Sequence, residues 1–404
     1  MDSIALLKDL VRIPSVNPMG RDVAGPEFFE TRLSEYLVEF FGRLRIDCQR
    51  IEVAPGRANV MARIERSGAR STVLLDAHQD TVPTDGMTID PFDPVVRDGR
   101  LFGRGACDVK GGLAAMLAAV ARLARERPPG ACHVVLSCTC DEEATSLGVN
   151  HLVAALRGEA PAYDLIPSPP DAAVVAEPTG LDVVVAHRGA TRWKIRTAGR
   201  ACHSSQPAEG VNAIYRMARV VARLEEYADR LPALVAAHPL CGSATLSVGR
   251  IEGGTSVNTV PDWCTIEIDR RVVPGEDGLA ARDDVGRFLR ERLDFEFEML
   301  PPWIAGQALS DANNGPLADA LLGHVAAVAG PRAKVGVPYG THASRIAAAG
   351  VASVVFGPGS IAQAHTKDEW IATDDVERAA EVYYRFCASG GPGRPGLSEG
   401  GGGK

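Results

Sequence analysis

The sequence predicts an α/β protein with a mixed, mostly parallel sheet flanked by helices and a smaller α+β unit inserted into it. Three observations carry that expectation. Short apolar runs alternate with helical patterns, as in βαβ units. A long stretch of good helix formers separates the first two strand-like runs. Beyond Val183 the texture changes to polar–apolar alternation. At 404 residues, 46% hydrophobic and 23% charged, the chain is long enough for two domains of ordinary globular composition.

The elements follow in order. "MDSIALLKDLVRIPSV" is an amphipathic helix pattern with acids in it, which does not fit a secretory signal. "STVLLDAH", "CHVVLSCTC", "DAAVVAEP" and "VASVVFGPG" are the strand-like runs. "GGLAAMLAAVARLARERPPG" between the first two is a helix closed by Pro-Pro-Gly. "VVVAHRGATRWKIRTAG", "ATLSVGRIEGG" and "DWCTIEIDRRVVP" alternate like half-exposed strands, with the amphipathic helix "GVNAIYRMARVVARLEEYADRL" among them. The α/β pattern resumes at "DANNGPLADALLGHVAAVAG". The expected organisation is therefore 1–185 and 301–389 as the two parts of one domain, 186–300 as the insert, and 390–404 as a Gly-rich disordered tail.

The formal charge of −8 argues against nucleic-acid and anionic-membrane partners. No run reaches the ~18 apolar residues of a membrane span. Nine cysteines without a C-x-x-C pair indicate neither a disulfide framework nor a cysteine zinc site, and a reducing cytoplasm is the expected location.

In an open α/β sheet, ligands gather beyond the carboxyl ends of the strands. "STVLLDAHQD" ends in His78 and Asp80, "CHVVLSCTCDEE" in Glu142 and Glu143, and "DAAVVAEPTG" in Glu177. "VASVVFGPGSIAQAHTKDEW" reaches His365 after a glycine turn, and Asp108 sits in the glycine loop "GRGACDVKGG". Any one of these alone is most simply a capping, turn or surface residue. Their convergence on one sheet edge is what points to a site, and imidazole with carboxylate is a donor set that zinc accepts. There is no G-x-S-x-G elbow, Walker loop or H-E-x-x-H. Cys138 and Cys140 lie in an apolar strand pattern, where free cysteine is usually packing. Glu142 and Glu143 are neighbours, and on an extended segment their side chains point apart.

"LLDAHQDTVP", "GRGACDVKGGLAAML", "CDEEATSLG", "AEPTG" and "AQAHTKDEW", in that order along nearly the whole chain, resemble the signatures of the M20 metallopeptidase family. The resemblance implies a zinc-peptidase-like fold whose insert is a lid and dimerisation domain, in a homodimer. It implies two divalent ions per chain, zinc first and cobalt or manganese as alternatives. His78 and Glu177 would hold one, Glu143 and His365 the other, with Asp108 bridging. Asp80 would support the His78 imidazole. Glu142 would be the general base that takes a proton from a metal-bridging water and returns it to the leaving amine.

"GRACHSSQPAEGVNAI" resembles the segment whose histidine helps hold the carbonyl oxygen, here His203. "GGTSVNTVPDWCTIEIDRRVVPGE" resembles the supplier of substrate-carboxylate contacts, here Asn258 and Arg271. "YGTHASR" resembles the substrate loop, offering Gly340, Thr341 and Arg345, but His342 stands where many members carry an acid. Glu177 in "AEPTG" is similar to the deacylase and carboxypeptidase side of the family. The expected activity is removal of an acyl group from an N-acyl amino acid, N-acetylornithine first. Succinyl-diaminopimelate desuccinylase and di- or carboxypeptidase activities are alternatives. A catalytically inactive metal- or ligand-binding relative is the reading from a different class.

Overall fold

A computed structural model describes residues 1–161 and 163–392. The chain begins with a helix, Ser3–Arg12, because Asp2 caps it by accepting from the amides of Ile4 and Ala5 at 2.8 and 3.2 Å. Leu6, Leu7, Leu10 and Val11 form its buried face.

The large sheet has eight strands: Asp47–Ala54 (β1), Arg57–Ile64 (β2), Thr72–His78 (β3), His133–Thr139 (β4), Ala172–Val175 (β5), Val183–His187 (β6), Lys334–Val337 (β7) and Ala352–Val355 (β8). Their spatial order is β1-β2-β4-β3-β5-β8-β6-β7. The centre, β4, β3, β5 and β8, is parallel. β1, β2 and β6 join antiparallel, which makes the sheet mixed. The central strands are buried along nearly their whole length, as strands covered on both faces must be. Their cover includes the helices Thr31–Leu44, Gly111–Glu126, Gly315–Ala329 and Thr373–Ala388, whose Leu37, Phe41, Met116, Leu117, Leu321 and Phe386 share one core with Val73, Leu75 and Val134.

Register sets up the chemistry. His78 on β3 pairs with Thr139 on β4, and Asp76 pairs with Val175 on β5. Two residues past Val175 is Glu177, so His78, the Thr139–Glu143 turn and Glu177 leave the sheet at one edge.

The chain divides into two compact units, Met1–Val185 with Asp311–Val335 and Thr341–Lys404, and Ala186–Ser310 with Gly336–Gly340. The second unit has an antiparallel sheet of Thr245–Gly253, Trp263–Val272 and Gly189–Ala198. The strict alternation of the latter two turns Trp193, Ile195, Ile266 and Ile268 onto Met217, Val220 and Leu224 of the helix Ala213–Leu234. Two boundaries differ from expectation. The insert runs to Ser310 rather than 300, because Ile304 and Ala305 pair with Arg192 and Thr191 of its own strand. At the C-terminus, Gly390 accepts from Ser71 Oγ at 2.6 Å and the Gly391 amide donates to Phe386 at 3.0 Å, so these residues belong to the packed chain. Of the expected tail, 393–404 lie outside the described residues.

Candidate metal centre

Ligand-type atoms of His78, Asp108 and Glu143 lie within 4.8 Å of one another. Asp108 is the hub. Its Oδ1 is 3.2 Å from His78 Nε2 and its Oδ2 is 3.2 Å from His365 Nε2, which is also 3.2 Å from Glu143 Oε2. Glu177 is buried beside them, close enough for the Asp108 charge to act on it.

The loop carrying Asp108 is held by a residue that sequence reasoning missed. Fully buried Glu369 accepts from the amides of Gly105, Cys107 and Asp108 at 3.1, 2.8 and 3.0 Å, and from Arg104 Nη1 at 2.6 Å. It lies in "AHTKDEW", four residues after His365, so its place in that motif was the available signal. Lys110 is also buried and donates to the carbonyls of Leu10 and Ile13, and burial pushes its ammonium down to about 7.

Electrostatics follow from so many ionisable groups out of water. Burial and the Asp108 charge raise Glu143 and Glu177 above the usual carboxylate range. Burial alone would also raise Asp108, but hydrogen bonds from His365 and His78 outweigh it and hold this carboxyl well below that range. Hydrogen bonds to Asp108 and Glu143 push His365 up to about 10. Burial would lower His78, yet the Asp108 hydrogen bond and the charges of Asp80 and Glu142 raise it well above its ordinary value.

Asp80 sits elsewhere than expected. The His78 Nδ1 partner is the backbone carbonyl of Asp80 at 2.9 Å, and the carboxylate is 3.7 Å away. That carboxylate instead accepts from the amides of Glu142 and Glu143 at 3.0 and 3.1 Å. The two glutamates lie in a turn, not on an extended segment, because Asp141 before them is left-handed with φ of 63°. Glu143 faces His365, whereas the Glu142 carboxylate makes no hydrogen bond among the described residues. Its charge nonetheless acts on His78, Glu143, Glu177 and Arg345.

In the same unit, His342 Nδ1 is 2.8 Å from Asp76 Oδ2, so the histidine standing where many members carry an acid is held by a buried carboxylate of β3. Thr341 caps the following helix by accepting from Ala343, and Arg345 donates to Asn150 at 3.0 Å. The remaining expected contacts, His203, Asn258, Arg271 and Gly340, belong to the second unit. There the His203–Thr259 bridge brings the first two segments together. The Ser205 amide donates to His203 Nδ1 at 3.2 Å, which leaves Nε2 as the hydrogen-bearing nitrogen of the neutral ring. Arg271 is engaged by Asp269 through two bonds of 2.6 and 3.2 Å. Gly340 lies against the carbonyl of Arg188, 3.2 Å from where a Cβ would stand.

Residues 74–389 match the profile of peptidase family M20/M25/M40. The chain belongs to this family. Among curated relatives, the acetylornithine deacetylase of Vibrio campbellii is 32% identical over 362 residues, 88% of this chain and 90% of that protein. Among solved structures, an M20 metallo-carboxypeptidase from Sulfolobus solfataricus shares the fold with a TM-score of 0.77 at 18% identity, over 96% of this chain and 99% of that one. A dinuclear metal-binding M20 peptidase from Bacillus subtilis gives 0.64 at 16% identity, over 96% of each chain. This M20 chain is a metallo-hydrolase, and its donor set fits a divalent ion. Buried Glu143 Oε1 has no hydrogen-bond partner among the described residues, and the groups around it are carboxylate and imidazole.

Proposed function

We propose that this M20 hydrolase removes the acyl group from an N-acyl amino acid, with N-acetylornithine as the leading substrate. The observation that carries the reading is the contrast within the acid pair: Glu143 is drawn into the His365–Asp108 cluster, and Glu142 stands beside it with its carboxylate unengaged. His78, Asp108, Glu143, Glu177 and His365 would hold two divalent ions, zinc first. When bound, these supply Lewis acidity that polarises the acyl carbonyl and acidifies water. Glu142 accepts the proton of the attacking water and delivers it to the amine nitrogen as the amide C–N bond breaks. The turn around left-handed Asp141 is what lets adjacent residues take separate roles.

In the second unit, His203 is exposed and its Nδ1 accepts from the Ser205 amide, so Nε2 is the ring nitrogen that would donate to the developing oxyanion. Asn258 and Arg271 would bind the amino-acid carboxylate. The deacetylase relatives favour an acetyl group. The strand Thr245–Gly253 is an edge with Ile251 exposed, which suits a twofold dimer through this unit. Nine free thiols suit a reducing compartment such as the cytoplasm.

The test is a hydrolysis screen of N-acetyl, N-succinyl and N-formyl amino acids and of dipeptides, with and without added zinc, cobalt or manganese. Preferred cleavage of N-acetylornithine is expected. A preference for dipeptides would move the chain to the peptidase side of its family.

A further inference from the structure

The segment "SVNP" near the N-terminus enters none of the chemistry above, yet it reaches the catalytic edge. Val16 forms a parallel bridge with Thr81, and the Asn17 amide donates to Thr81 at 2.8 Å, so the segment lies alongside the turn that follows β3. Asn17 is buried, and both ends of its side-chain amide are hydrogen-bonded. Nδ2 donates to Asp80 Oδ2 at 2.8 Å and to Asp141 Oδ1 at 2.9 Å, and Oδ1 accepts from the Met19 amide at 2.9 Å. Those three bonds fix which end of the amide is nitrogen.

Asp80 and Asp141 are two buried carboxylates sharing one neutral donor group. Both fix the turn that carries the acid pair. Asp80 accepts from the amides of Glu142 and Glu143, and Asp141 is the left-handed residue that starts the bend. A non-glycine residue at φ of 63° persists only where its surroundings over-determine it. The surroundings do so here. Besides Asn17, Asp141 is held by Arg57 and by Thr145 Oγ1, and its amide donates to Glu30 at 3.2 Å, while Arg57 Nη2 lies 3.1 Å from Glu30. Within this group Asn17 alone touches both Asp80 and Asp141 through its side chain.

We propose that Asn17 is a positioning residue: it clamps Asp80 to Asp141, and so keeps the 141–143 bend in the form that leaves Glu142 free to act as the base. Aspartate at position 17 has the same shape but turns a donor into a third carboxylate, so it opens the clamp. The inference rests on Glu142 being the base, which Glu142→Gln tests by itself.

The experiment measures kcat, KM and zinc content for Asn17→Asp and Asn17→Ala, each alone and combined with Glu142→Gln, on the best substrate of the screen. Asn17→Asp is expected to lower kcat by about tenfold or more, with KM changed by less than about threefold, the scale for groups that support catalytic ones. Zinc content stays at the parent value. On top of Glu142→Gln, the same substitution changes the residual rate by less than about twofold, because residues that act as one unit are not additive. Three outcomes would each overturn the role: kcat within about twofold of the parent, a loss that persists in full with Glu142→Gln, or a loss matched by lost zinc. If the aspartate variant does not fold, Asn17→Ala decides by the same criteria, since it removes the bridge without adding charge. Full activity of Glu142→Gln alone would strike the base assignment, and this role with it.

Discussion

Asp80 bears two amide hydrogen bonds and an asparagine on a single carboxylate, so changing it acts on the acid-pair turn before it acts on the imidazole. Asp80→Asn keeps the backbone carbonyl that holds His78 but turns one accepting oxygen into a donor facing N–H groups. Metal content should therefore persist while kcat falls by about 10–100-fold, the scale for supporting groups. Elemental analysis beside steady-state rates checks this; loss of metal at unchanged protein fold would mean the carboxylate serves the imidazole after all. Glu142→Gln should likewise keep its metal and lose ~10²–10⁴ in rate, whereas Glu143→Ala should lose metal first. Spacing made His78 and Asp80 legible as neighbours but could not say which oxygen serves which hydrogen. Asp108, Glu143 and His365 were legible because the first sits in a glycine loop and the other two follow strand-like apolar runs. Asn17 and Glu369 were not: each is a lone polar residue whose partners lie far along the chain, with no period to betray it. Asp269 was within reach, since residues two apart on a strand share a face with Arg271.

The central strands and the helix Gly111–Glu126 were readable from period and composition, because a strand covered on both faces has to be continuously apolar. The two-residue strands Glu298–Met299 and Ile304–Ala305 were not, since two residues carry no period, and the domain boundary was misplaced with them. A pairing between helices was equally hidden. Arg122 joins Glu126 on its own helix to Glu381 on the last helix at 3.1 and 2.7 Å, and the Tyr384 hydroxyl donates to Glu126 at 2.7 Å. The Tyr384 bond, with those of Arg125 and Arg122, pulls the Glu126 carboxyl from its ordinary 4.5 down to about 2. A folded-state value below the unfolded one stabilises fully above the unfolded value and fades as pH falls toward the folded one. Glu126→Gln should thus melt slightly lower than the parent near neutral pH, a small effect for so exposed a group. The gap between the two melting curves should narrow from about pH 4.5 down toward pH 2. A gap that stayed constant through that window would show that packing, not charge, joins the two helices.

At the scale of the molecule, composition and the change of texture at Val183 were enough to expect two units, and each has a core of its own. The first unit carries the unusual burden. Asp108, Glu143 and Glu177 gather with His78 and the more exposed His365, and their carboxylates crowd together where burial and mutual repulsion disfavour negative charge. Such a cluster exists only in the folded chain, so whatever cation binds there binds the native state alone and stabilises it by mass action. At a free metal concentration about 100 times the dissociation constant, that stabilisation is ~2.7 kcal/mol. The parent protein should therefore unfold at a lower temperature after chelation and recover when zinc is returned. His78→Ala, which removes an imidazole from the Asp108 hub, should lose most of that metal-dependent difference. Calorimetric scans with chelator, with zinc, and with zinc on the His78→Ala protein make the comparison. An equal zinc-dependent shift in both proteins would locate the stabilising ion away from Asp108, because a site built on His78 and Asp108 cannot bind as tightly after losing one of them.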